Sequence, residues 1–299
     1  MDSTTVDSGE IAGHDPVVRD PLVPNRVPKR RRFPRFLSAS LIALLALAIK
    51  LKDFTFFIIE RGRLLFVNPF EGFGATQYAI AGGSIVVTIA AGIWQTHRIG
   101  IVVGFVVLTL IHEIGHAVVI RAKGLRAGFL VLIPFIGGAV TLKDQPRSAY
   151  DDAQIGLAGP CFGTAASLIT LQIYKWTGDP LYLTIALIGF ALNLLNLIPL
   201  GMLDGGRISG AITKWMWVLG GGGLIYKTIK QPNPLLIVIL LLSAFQVYAA
   251  IVREQDDKVF YDVTLGQRFA IACAYFALTL FLGHQTYLAL NRLAALAPK

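Results

Sequence analysis

The stretch Ile99–Ile120 constrains this chain more than any other. It is apolar apart from Thr109 and a polar cluster near its end, and it is long enough to cross a bilayer. The cluster is His112-Glu113-Ile114-Gly115-His116. Ionisable groups at membrane depth are costly, so their presence there points to function. On a helix, the H-E-x-x-H spacing puts both imidazoles on one face, where they can bind one Zn²⁺. Glu113, on the adjoining turn, can act as general base toward a water at the metal. The chemistry this implies is that of a zinc peptidase working inside a membrane.

Composition supports the membrane reading. Of 299 residues, 55% are hydrophobic and 15% charged, with a mean hydropathy of +0.63. A soluble domain carries about a quarter charged residues. The net charge of +9 does not call for nucleic acid, because the basic residues cluster beside apolar segments as in cytoplasmic flanks. Cys161 and Cys273 lie in apolar segments, form no C-x-x-C pair and imply no disulfide framework. No cleavable signal peptide is expected, since Met1–Asp20 is acidic and polar.

Residues 1–36 are expected to form a disordered cytoplasmic tail ending in the basic run Lys29–Arg35. Residues 37–74 read as interfacial or re-entrant, because Leu37–Ile49 reaches only about 20 Å as a helix against a core of about 30 Å. A catalytic membrane core is expected over 75–220 and further membrane helices over 221–299. The fold class is an all-α polytopic membrane protein with about six spans, near 75–95, 99–120, 153–174, 180–199, 233–252 and 267–290. Arg121, Lys123, Arg126, Lys143 and Arg147 assign the loop between the second and third spans to the cytoplasm. Both termini then lie inside, and a bacterial plasma membrane is preferred because no organelle address is apparent. Residues 208–230 predict an interfacial helix, with Trp215 and Trp217 at the interface and Gly220–Gly223 as a flexible break. His14, His97 and His284 read as structural or incidental.

Two histidines do not complete a catalytic zinc site, which has three protein ligands and an open position. Asp204 is the best third candidate. It lies in a Pro/Gly-rich break, Asn196-Leu-Ile-Pro199-Leu-Gly-Met-Leu203-Asp204-Gly205-Gly206, where backbone can turn a carboxylate back into the bundle. Both helices run toward the cytoplasm, so His112, His116 and Asp204 can meet near one membrane face.

The chain resembles the site-2 protease family of intramembrane zinc metalloproteases. The resemblance rests on His112–His116 and on Asn196-x-x-Pro199-x-x-x-Leu203-Asp204-Gly205, extended by Gly137-Gly138 and Ala158-Gly159-Pro160, and covers roughly residues 75–220. It implies His112, His116 and Asp204 as ligands of one zinc ion per chain, Glu113 as catalytic base, and cleavage of a transmembrane protein near the cytoplasmic side. Gly163 departs from the pattern, which often has Asn there. No PDZ or CBS module is expected, and oligomeric state is not implied.

An oxyanion donor is expected from Asn196 or Asn193. Phe129–Leu142 reads as a short hairpin at the cytoplasmic face, around Pro134 and Gly137-Gly138, whose edge can pair with an extended substrate. Gly159-Pro160 is expected to break or start a helix. Two rival classes remain at this level: an ion or proton transporter using the intramembrane His, Glu and Asp, and a catalytically silent pseudoprotease.

Overall fold

The computed structural model describes residues 68–134, 137–201, 203–213, 215–232, 237, 239–245, 247–248, 252 and 259–296. The expected tail 1–36, most of the segment 37–74 and part of the expected span 233–252 lie outside the described residues. Within them the chain runs α1 (Ala75–Thr96), α2 (Ile99–Ala122), β1 (Ala127–Ile133), β2 (Gly137–Leu142), α3 (Ala149–Thr177), α4 (Pro180–Asn196), α5 (Asp204–Ile212), α6 (Trp215–Lys230) and α7 (Leu265–Leu296). The expected helical architecture with one short hairpin is what the structure contains. Four of these helices (α1, α2, α3 and α7) are long and apolar enough to cross a membrane, which makes this an integral membrane protein. Helix α4 is shorter than expected, because it ends at Asn196 ahead of Pro199.

Local sequence sets the boundaries. His97 closes α1 in the left-handed conformation at φ 54°, so α1 and α2 form a tight helical hairpin. Ser148 caps α3 by accepting from the Asp151 amide, with Asp151 and Asp152 in the positive first turn. The run Thr177-Gly178-Asp179-Pro180 ends one helix and starts the next. Gly178 takes φ 71°, the Asp179 carboxylate accepts from the Leu181 amide, and Pro180 fills the first turn, where its missing N–H costs nothing.

Two expectations about helix breaks fail. Helix α3 continues through Gly159-Pro160, and α6 continues through Gly220–Gly223. Pro160 removes only the donor to the Gly156 carbonyl, and packing of α3 on both flanks outweighs that loss. Gly220 is a contact point, since a Cβ there would lie 2.3 Å from the Pro199 carbonyl oxygen.

The largest buried cluster joins α3, α4, α5 and α7 through Leu157, Leu183, Phe190, Ile208 and Leu282. The hairpin pairs antiparallel, with Ile133 opposite Gly137 and Leu130 opposite Val140, and an irregularity between Ala127 and Leu130. It is tied to α1 by the Leu132 amide donating to Ser84 Oγ (3.1 Å). Its base is closed by the Arg126–Asp144 ion pair (2.7 Å).

Candidate metal centre

Helix α2 carries the first half of the site. His112 and His116 are four residues apart, and their Nε2 atoms lie 3.1 Å from each other. The second half comes from the fold-back after α4. The Leu200 amide donates to Ile198 and the Leu203 amide to Leu200, turning the chain into α5 with Asp204 as its first residue. This return is tight. A Cβ at Gly205 would lie 2.2 Å from the Leu197 carbonyl oxygen, and one at Gly206 would lie 1.9 Å from that of Leu200. The turn therefore requires residues without side chains at 205 and 206, directly after the Asp204 carboxylate. Tyr275 of α7 clamps the turn through its hydroxyl to the Leu197 carbonyl (2.6 Å), and Trp217 Nε1 donates to Gly206 (2.9 Å). Arg207 anchors α5 to α3 by two hydrogen bonds to Asp152 (2.9 and 2.6 Å).

These elements bring Asp204 Oδ2 to 3.1 Å from His112 Nε2 and Oδ1 to 3.2 Å from His116 Nε2. All three residues are buried. Their backing decides what the cluster can be. His116 Nδ1 faces the Ile155 carbonyl oxygen at 2.8 Å, an acceptor only, so Nδ1 carries the proton. His112 Nδ1 faces Asn193 Oδ1 at 2.8 Å. Both Nε2 lone pairs then point at each other and at a carboxylate. Protonating both Nε2 atoms would oppose two like charges at 3.1 Å in a buried site. The three groups converge on one point with their lone pairs, an arrangement that a cation held between them would satisfy. In a tetrahedral zinc site with ligand bonds near 2.0–2.1 Å, donor atoms sit about 3.3 Å apart, close to the spacing here. Among the described residues, Asp204 Oδ2 and Glu113 Oε2 are buried without hydrogen-bond partners, as atoms that would face a metal and a water would be. The residues fit zinc.

Glu113 lies on the hairpin side of α2. Its carboxylate accepts from the Val140 amide of β2, and a Cβ at Gly138 would lie 2.6 Å from its Oε1. Gly137, at φ 135°, opens β2 beside Leu192 of α4, 3.9 Å from where its Cβ would be. Asn196 is the last residue of α4 and is half-buried. Asn193, one turn earlier, is fully buried, with Oδ1 against His112 Nδ1 and Nδ2 donating to the Gly189 carbonyl oxygen.

Sequence reading missed what α3 contributes. Gly156, Gly159 and Gly163 recur at i, i+3 and i+7 on one face. Gly156 backs Asp204, Gly159 backs both imidazoles, and Gly163 backs Asn193. Gly163, where the resembled pattern often has Asn, leaves room for Asn193 of α4. The three-glycine spacing is the signal that could have revealed this face.

A buried H-E-x-x-H helix joined by a distant carboxylate, set in apolar helices, forms a candidate metal centre. Residues 100–178 match the family model for Peptidase family M50. The matched stretch takes in α2, the β1–β2 hairpin and α3. It is 28% identical over 168 residues to a zinc metalloprotease of Methanocaldococcus jannaschii, covering 51% of this chain and 48% of that protein. It is 29% identical over 115 residues to a Synechocystis protein named as a candidate zinc metalloprotease, covering 37% of this chain and 29% of that protein. The chain thus spans about half the length of the first relative and under a third of the second. Among solved structures, a site-2 protease from Methanocaldococcus jannaschii aligns at a TM-score of 0.40 and 24% identity, over 60% of this chain and 87% of that one.

Proposed function

We propose that this protein is a zinc-dependent intramembrane endopeptidase that hydrolyses a peptide bond of a transmembrane protein near the cytoplasmic face. The observation that carries this reading is the convergence of His112, His116 and Asp204, with Glu113 on the adjoining turn, inside apolar helices. His112, His116 and Asp204 would hold one zinc ion per chain. Bound there, zinc supplies Lewis acidity, which polarises the scissile carbonyl and makes water acidic enough to deprotonate near neutral pH.

The protein's own groups do the rest. Glu113 accepts the proton of the attacking water at its unpartnered oxygen and returns it to the departing amine. The Val140 amide and the close approach of Gly138 hold that carboxylate in one orientation while the proton moves. The edge of β2 turned away from β1 offers main-chain pairing to an extended substrate, and Gly137 and Gly138 keep that edge clear of side chains. Asn196 is the proposed oxyanion donor, since it is half-buried while Asn193 is fully buried against His112 and Gly189. The basic residues between α2 and α3 support a cytoplasmic hairpin.

The test is purified protein assayed for zinc and for cleavage of single-span substrates, beside Glu113→Gln and Asp204→Ala. The expected outcome is one zinc per chain in the wild type. Glu113→Gln should keep the metal and lose cleavage by at least about 10²–10⁴-fold, and Asp204→Ala should lose the metal. A wild type without zinc would sink the reading in favour of a transporter. Zinc retained in Asp204→Ala would remove that residue from the ligand set.

A further inference from the structure

We propose that Asn193 is the residue that orients His112 as a metal ligand, acting from α4 through a space that Gly163 leaves open in α3. The inference rests on the zinc reading above and assigns a positioning role, not a catalytic one.

The orientation follows from which groups can donate. Asn193 Nδ2 lies 2.7 Å from the Gly189 carbonyl oxygen, which can only accept. The amide nitrogen must therefore face Gly189, and Oδ1 must face His112 Nδ1, 2.8 Å away. Oδ1 can only accept, so the imidazole proton sits on Nδ1. The Nε2 lone pair is thereby left for the centre shared with His116 and Asp204. A relay from a helix carbonyl through one amide sets the tautomer of a ligand on another helix. His116 needs no such side chain, because the Ile155 carbonyl does the same directly.

Gly163 makes the relay possible. A Cβ at that position would lie 2.2 Å from Asn193 Oδ1 and 2.5 Å from Nδ2, well inside contact distance. The same geometry yields a demanding corollary. In asparagine, Cβ and Oδ1 are separated by about 2.4 Å, given standard bond lengths. An asparagine rooted at 163 can thus place its own Oδ1 where that of Asn193 now sits.

The experiment measures zinc affinity by competition with a chelator, using full-length protein in detergent, with thermal melting as a control for folding. Asn193→Leu removes the acceptor and should weaken zinc binding 10–100-fold. Gly163→Ala should reproduce that loss by pushing the amide away. Asn193→Asp keeps an acceptor on the imidazole and should stay within a few-fold of wild type. The double variant Gly163→Asn/Asn193→Gly should recover affinity relative to Asn193→Leu. Wild-type affinity in a folded Asn193→Leu protein overturns the proposal and leaves the zinc reading intact. Loss of affinity rescued neither by Asn193→Asp nor by the relocated asparagine also overturns it, since the residue would then matter only for packing. A wild type that binds no zinc defeats both readings together.

Discussion

Helices α2 and α3 are alike in length and apolarity to α1 and α7, yet they sit in opposite environments. Buried residues make up 56% and 61% of the most apolar windows of α2 and α3, against 6% and 17% for α1 and α7. Glycine content alone does not separate them. Gly82 and Gly83 in α1 and Gly283 in α7 have open space where a side chain would go. The difference lies in what the glycines meet. On α3 they meet the Asp204 backbone carbonyl, two imidazoles and an amide; on α1 and α7 large apolar side chains such as Val86 and Leu280 face outward. Lipid is as apolar as leucine, so helices in a membrane gain little by burying leucine against each other. Close approach at small residues and satisfaction of polar groups bring α2 and α3 together, and the polar groups they satisfy are those of the candidate metal centre.

The sharpest way to break this contrast is to add one methyl group on each side of it. At Gly159 a Cβ would lie 2.2 Å from His116 Nε2, so Gly159→Ala should abolish zinc binding and activity. At Gly283 the same change meets nothing, and it should stabilise by up to about 1 kcal/mol through helix propensity. Zinc content and melting temperature of the two variants decide the matter. Equal behaviour would mean that the two helix classes do not differ as described.

A smaller effect is expected from Arg207→Ala. Arg207 and Asp152 are mostly buried, and their hydrogen bonds hold α5 against α3. Losing them should cost about 2 kcal/mol and leave Asp152 unpaired. Zinc affinity should fall with melting temperature, because Asp204 begins the same helix. An unchanged affinity would show that the clamps from Tyr275 and Trp217 suffice to position it.

This contrast also explains what was legible in the sequence. H-E-x-x-H is a local pattern, and its helical spacing delivers both imidazoles to one face in any fold. Asp204 was readable because proline and two glycines leave the chain after Asn196 few ways to run. The hairpin was readable from its β-forming residues around Pro134 and Gly137-Gly138. Asn193 and the Ile155 carbonyl were not, since each acts on a histidine of another helix, and sequence spacing carries no information about such pairs. Pro160 and the run Gly220–Gly223 misled for a related reason. Their local preference is to break a helix, and contacts with neighbouring helices override it.

The peripheral faces yield the next prediction. Leu280 is 75% exposed on α7, so Leu280→Ala should change stability in detergent by no more than about 0.5 kcal/mol. A core leucine such as Leu183, which is 0% exposed, should cost about 2–5 kcal/mol when changed to alanine. A large loss at Leu280 would mean that this face of α7 is covered by protein.

The smallest expected effect lies outside the membrane helices, at the base of the hairpin. The Arg126 guanidinium and amide both donate to Asp144 and lower its carboxyl to about 2, below the usual carboxylate range. A depressed carboxyl stabilises the fold at pH values above its unfolded value, and that contribution disappears as the pH falls through the folded value. The difference in melting temperature between wild type and Asp144→Asn should therefore be constant from pH 7 to about 5. It should shrink between about 4 and 2. The pair is exposed, so added salt should shrink it as well. Zinc affinity at neutral pH should not respond to Asp144→Asn, since Asp144 lies beyond the end of β2 and its ion pair with Arg126 is exposed. A stability difference that ignored both pH and salt would show that Asp144 closes the hairpin through its geometry, as asparagine could, and not through its charge.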